Sequence, residues 1–130
     1  MTEGGAAVSV GIDLVDVARI ADLRKRYVRA FLERTFCGFE ISYCEKFSNP
    51  DIHYAARFAA KEAVAKALQT GFADGVSLAG IGVKISEGGA PSVWLDAPAQ
   101  ERLEALGASK ILISLAHLKD YAQAIALAVK

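Results

Sequence analysis

The sequence predicts an α+β domain in which a mostly antiparallel sheet packs against one long central helix. Three observations carry that prediction. The chain opens on a strand pattern, with apolar residues alternating at positions 8, 10 and 12. Its middle, about residues 52–69, is rich in alanine and free of glycine and proline, which makes it the most strongly helical stretch. Beyond Gly71 the pattern turns to short β runs parted by glycine-rich or polar turns.

The first strand spans residues 8–13 and ends in Asp13. The period then changes. Val17, Ile20, Leu23 and Tyr27 recur at three- and four-residue steps, so a helix follows, with Asp16 placed to cap its start. Residues 37–47 read as a short helix closed by the turn Ser48-Asn49-Pro50-Asp51. In the alanine-rich helix, Ala55, Ala59, Ala63 and Ala67 form a row of small side chains that lets another element approach closely. Gly71 stands where a terminating glycine would end that helix. Residues 82–86 and 92–95 flank Glu87-Gly88-Gly89-Ala90-Pro91, a hairpin connection. Residues 98–106 form a short amphipathic helix ended by Gly107. Residues 110–115 and 122–129 read as two last strands around a turn at 118–121, although the alanines of the last segment also suit a helix.

A chain of 130 residues fits one domain with one core, here residues 8–130 behind a flexible lead-in at 1–7 that has no signal-peptide character. Apolar residues make up 53% and charged residues 23%. No apolar run approaches the roughly 18 residues of a membrane helix, so a cytoplasmic protein without a membrane partner is expected. Cys37 and Cys44 are too few for a disulfide framework and lie outside metal-knuckle spacing, so free thiols in a reducing compartment are expected. Lys plus Arg equal Asp plus Glu at 15 each, so net charge selects no partner. The distribution says more. Arg19, Arg24, Lys25, Arg26 and Arg29 crowd one segment against a single acid, Asp22. Such a run is ordinarily a solvated helix face. The sharper reading is a docking surface that steers in an acidic macromolecule. Nucleic acid is a weaker candidate, because nothing else in the chain extends the basic patch.

Glu62 and Lys66 lie four apart on the central helix and share a face, while Arg57 and Lys61 form a neighbouring row. Glu followed by Lys at this spacing is most often a surface ion pair, worth ~0.3–0.5 kcal/mol. Two features favour chemistry. Glu62 sits among Ala and Phe, where an idle carboxylate is costly to bury. Asp13 ends a strand of the sheet, a common site position. If helix and strand pack together, the two carboxylates converge. Two acids, with waters and phosphate oxygens, are the usual protein share of a Mg²⁺ site. Lys66, one turn beyond Glu62, would neutralise a phosphate. Taken locally, His117 reads as a hydrogen-bonded structural residue and His53, beside a turn, as solvent-exposed. The absence of GxxxxGK[ST], GxGxxG, HExxH and nucleophile-elbow sequences argues against an NTPase, a dinucleotide enzyme, a zincin and a serine hydrolase of that type.

Four blocks in order carry a family resemblance: Gly11-Ile12-Asp13 with Arg19-Ile20; Phe39-Glu40 with Tyr43; Ala56-Arg57-Phe58-Ala59-Ala60-Lys61-Glu62-Ala63-Val64 with Lys66-Ala67; and Ser114 with His117. Together they resemble the holo-[acyl-carrier-protein] synthases, the short 4′-phosphopantetheinyl transferases, over almost the whole chain. The resemblance implies that fold and a Mg²⁺-dependent enzyme. Its reaction moves 4′-phosphopantetheine from coenzyme A to a serine of an apo acyl carrier protein, leaving 3′,5′-ADP, as in fatty acid biosynthesis. By position it implies that Asp13 and Glu62 are magnesium ligands, and catalytic together with Lys66. Arg57, Lys61, Lys66, Pro91 and His117 would line the coenzyme A site. Arg19, Leu23, Arg24 and Arg26 would meet the acidic carrier protein. The family's short members form homotrimers with sites across subunit boundaries. Four positions depart from the pattern: Gln69 for a usual Gly, Gly82 for a frequent acid, Ala90 for a basic residue before Pro91, and Ala116 for a hydroxyl residue before His117. These bear on affinity and partner choice and leave Asp13, Glu62 and Lys66 untouched. The alternative to an enzyme is a module of the same fold that grips carrier protein or coenzyme A without catalysis.

Overall fold

The computed structural model describes residues 6–130, so most of the lead-in expected at residues 1–7 lies outside the described residues. Ala7 already belongs to the first strand, β1 (Ala7–Asp16). That strand is longer than its apolar alternation indicated. It pairs antiparallel with β5 (Tyr121–Val129) along its whole length, from Ala7 opposite Val129 to Asp16 opposite Tyr121. Asp13 therefore lies within the strand, opposite Ala124, and not at its end. β4 (Lys110–His117) pairs with the other edge of β5, giving the antiparallel order β1-β5-β4. The final segment is thus a strand. Ala122, Ala124, Ala126 and Ala128 are buried at every second position, the period of a strand with one face on the core.

Asp16 ends β1 and starts α1 (Val17–Arg26), its side chain accepting a hydrogen bond from the Ala18 amide at 2.9 Å, as the sequence indicated. A second helix, α2 (Val28–Thr35), follows at once. Nothing in the sequence marked it, because its N-cap Tyr27 makes no side-chain capping bond and no glycine or proline sets its limits. The short helix expected next is α3 (Gly38–Cys44). Burial pushes the thiols of its two free cysteines up, Cys37 to about 11 and Cys44 to about 12, so both stay protonated.

The central helix, α4 (Pro50–Ala67), begins on the proline expected in a turn, which suits a first helical position. It lies across β1 and β5 through its small residues, with Ala55, Ala59, Ala63 and Ala67 all fully buried. Its terminator is Gln69, not Gly71. Gln69 takes φ 64° and its amide bonds the Lys66 carbonyl at 3.0 Å, the left-handed step that ends many helices. A two-stranded antiparallel sheet of β2 (Ile81–Ile85) and β3 (Pro91–Leu95) stands beside the main sheet. Gly82 there leaves room for Phe39, whose ring would meet an added Cβ at 2.5 Å. α5 (Ala97–Ala105) completes the fold, capped by Asp96 through the Ala99 amide at 3.1 Å. Among the described residues no helix is long and apolar enough to cross a membrane.

Candidate active site

Alternation along β1 turns Gly11, Asp13 and Val15 toward α4, and Val10, Ile12 and Leu14 outward. The strand's apolar alternation thus belongs to its exposed face, the reverse of what burial alone would dictate. At Gly11 the two backbones nearly touch, since an added Cβ would lie 2.0 Å from the Ala63 carbonyl oxygen and 2.8 Å from the Ala67 nitrogen. Two residues on, Asp13 faces the same stretch of helix. Lys66 Nζ reaches across to it, donating to the Ile12 carbonyl at 2.8 Å and to Asp13 Oδ1 at 3.2 Å. Lys66 is therefore bound to the strand's acid, and the surface pair that spacing suggested between Glu62 and Lys66 does not form among the described residues. Glu62 is half-buried one turn before Lys66. Burial first, and then the negative charge of Asp13, hold its carboxyl above the usual range, while Lys66 and Arg19 pull it back. The two acids and the lysine come together.

A cleft opens near the start of α4. About 300 Å³ in volume, it is lined by Arg57 and His53 of α4, Tyr43 of α3, Pro91 at the start of β3, and Ser114 and His117 of β4, among others. Arg57 is almost wholly buried, with its guanidinium 4.2 Å over the Tyr43 ring. Its Nε is buried without a hydrogen-bond partner, and an unpartnered charged donor beside a cleft is fitted to an anionic ligand. Arg57, Pro91 and His117, three of the positions expected to line a coenzyme A site, thus share one cleft.

The model of the 4′-phosphopantetheinyl transferase superfamily matches residues 9–126. The chain belongs to this superfamily. It is 40% identical over 117 residues to a holo-[acyl-carrier-protein] synthase of Syntrophus aciditrophicus, covering 90% of this chain and 91% of the relative. The crystal structure of the holo-[acyl-carrier-protein] synthase from Neisseria meningitidis superposes with a TM-score of 0.87 at 32% identity, over 95% of this chain and 99% of that one. That of the Helicobacter pylori synthase in complex with coenzyme A superposes with a TM-score of 0.80 at 32% identity, over 92% of this chain and 98% of that one. The α+β fold is the one these synthases share.

Not every expected site residue of this phosphopantetheinyl transferase faces a ligand. Lys61 does not line the cleft. Its side chain is 0% exposed and its ammonium donates to Glu40 Oε1 at 2.5 Å, to the Leu78 carbonyl at 3.0 Å and to the Ile81 carbonyl. Glu40, also 0% exposed, accepts from the Cys37 and Val83 amides at 2.9 Å each. All three donors of Lys61 are used, so the pair ties α3, α4 and β2 together and is structural. Among the docking positions, Arg19 is exposed and within the field of Glu62, and Leu23 is half-buried. Arg24 is instead tied to Asp51 at 2.6 Å and lies over the Tyr54 ring, and Arg26 pairs with Asp22 at 3.2 Å. Sequence reasoning missed His53. It is half-buried and stacks on Phe47 with ring centroids 3.6 Å apart. The signal that could have found it was its place in the same helical row as Arg57, four residues on.

Proposed function

We propose that this chain transfers the 4′-phosphopantetheine group of coenzyme A to a serine of an apo acyl carrier protein, releasing 3′,5′-ADP. The observation that carries the reading is the convergence of Asp13, Glu62 and Lys66 where β1 crosses α4, in a chain of this superfamily. The donor set fits a magnesium ion. Two carboxylates draw a hard cation and leave its remaining positions to waters and phosphate oxygens. A structural zinc site calls for four nitrogen or sulfur donors, and no group of three or more His, Cys, Asp or Glu gathers among the described residues. Asp13 and Glu62 would hold the ion, which when bound offsets negative charge on the coenzyme A pyrophosphate.

The rest falls to the chain's own groups. The Lys66 ammonium is exposed enough to leave Asp13 for a phosphate oxygen, and there it stabilises charge developing on the leaving 3′,5′-ADP. The serine oxygen attacks the β-phosphorus in line as the bond to 3′,5′-ADP breaks and the hydroxyl proton passes to solvent water, so positioning supplies much of the acceleration. Arg57, Pro91 and His117 bind coenzyme A in the cleft near the start of α4. Arg19 and the last turn of α1, which carries Arg24, Lys25 and Arg26, form the face that attracts an acidic carrier protein. Pairing of Arg24 and Arg26 with acids of their own leaves Arg19, Lys25 and Arg29 as its freer charges. A homotrimer is supported by the outer face of the β1-β5-β4 sheet, where Val10, Ile12, Leu14, Leu112, Tyr121 and Ile125 stand exposed side by side. Free, protonated thiols suit the cytoplasm.

The test is mass spectrometry of an apo acyl carrier protein incubated with this protein, coenzyme A and Mg²⁺. A phosphopantetheine-sized gain is expected, lost when a chelator removes the metal. Glu62→Gln is expected to lower the rate by at least about a hundredfold while its unfolding transition stays cooperative. Near-normal transfer by that variant would overturn the assignment.

A further inference from the structure

His53, His117 and Arg57 all line this one cleft. The His53 ring lies flat on Phe47, 21° from parallel, and its edge meets His117 with centroids 6.0 Å apart. Arg57 Nη1 donates to the His53 carbonyl at 3.3 Å, which holds the two side chains one turn apart on α4. From α3 and the turn after it, the cleft is faced by Tyr43, with the Lys46 ammonium 6.0 Å from the Tyr43 ring. Among the described residues no carboxylate lines it. Two acids of the same region are engaged elsewhere, Asp51 with Arg24 and Glu45 with the Tyr54 hydroxyl, each at 2.6 Å.

We propose that His53 is a third polar contact of this cleft, completing with Arg57 and His117 a cradle for a phosphate of coenzyme A. The inference rests on the transferase reading above. Burial, then Arg57, then His117 hold the His53 imidazole below its ordinary range, so it is neutral near pH 7. A phosphate placed among these groups reverses the sign of the local field. The imidazole then takes up a proton and becomes a charged donor. The stack on Phe47 fixes the ring in advance, so little rotamer freedom is lost on binding. By linkage, binding coenzyme A takes up a proton at His53, and affinity falls as pH rises through the midpoint of the bound form.

The chain has 2 histidines, so one variant, His117→Gln, assigns their ring signals. The experiment is an NMR titration of those signals in the whole protein, alone, with coenzyme A, and with pantetheine, which carries no phosphate. Coenzyme A is expected to raise the His53 midpoint by about one pH unit or more, and pantetheine to leave it in place. His53→Phe keeps a ring on Phe47. It is expected to raise KM for coenzyme A about tenfold at about pH 6 with kcat within about twofold, and to flatten the dependence of KM on pH. A His53 midpoint unmoved by bound coenzyme A, or moved equally by pantetheine, overturns the inference and leaves the transferase reading standing. Failure of coenzyme A to bind at all overturns both.

Discussion

Gly11 fixes the distance between the strand's acid and the helix's acid, because any side chain there would push β1 off α4. Gly11→Ala places a methyl 2.0 Å from the Ala63 carbonyl oxygen, which neither backbone can yield to. Expected is a destabilisation at or above the top of the roughly 1–3 kcal/mol range of overpacked cores, read from chemical denaturation. Transfer activity should fall further than the folded fraction, since Asp13 moves with the strand. At this scale the members of the candidate site were named from the sequence. Asp13, Glu62 and Lys66 stand out by residue type, and only their meeting needed the fold. Lys61 was not legible. The resemblance placed it on the coenzyme A site, whereas its partners are Glu40, 21 positions away, and carbonyls of a segment that packs over it. His53 was misread for a related reason, since Phe47 and His117 reach it from other elements.

Helices were legible where a chemical signal marks an end. Asp16 and the alanine run placed α1 and α4, whereas α2 has no capping side chain at Tyr27 and went unread. The end of α4 shows how local chemistry and position can disagree. Gly71 looked like the terminator, but the left-handed step falls two residues earlier, on Gln69 at φ 64°. An L side chain there costs about 1 kcal/mol or somewhat more relative to glycine. Gln69→Gly is therefore expected to raise stability by about 1 kcal/mol, less whatever glycine adds to the freedom of the unfolded chain. The check is a higher urea midpoint with an unchanged slope. β1 outran its predicted end because pairing with β5, rather than hydrophobic alternation, sets where a strand stops.

On the scale of the whole molecule, the main sheet has two apolar faces and only one core. Its inner face is a row of alanines under α4, and its outer face carries Ile12 at 52% and Leu14 at 62% exposure, beside Ile125. The sequence held this information in the period-two runs, but period alone does not say which face meets the helix. Covering the outer face with further copies of the chain would remove that exposure from water. Ile12→Lys is expected to leave the chain folded, since Ile12 is half-exposed, and to shift it to monomers in analytical ultracentrifugation with loss of transfer activity. Assembly unchanged by that substitution would count against the homotrimer. The inner face has a different consequence. Alanine has no χ rotor, so the seam between α4 and β5 cannot adjust by swinging side chains; helix and sheet can only ride together. Mutational drift in the bulkier parts of the core, around Phe36, Leu68 and Leu103, can then be absorbed locally, and the span between the Asp13 and Glu62 carboxylates is insulated from it.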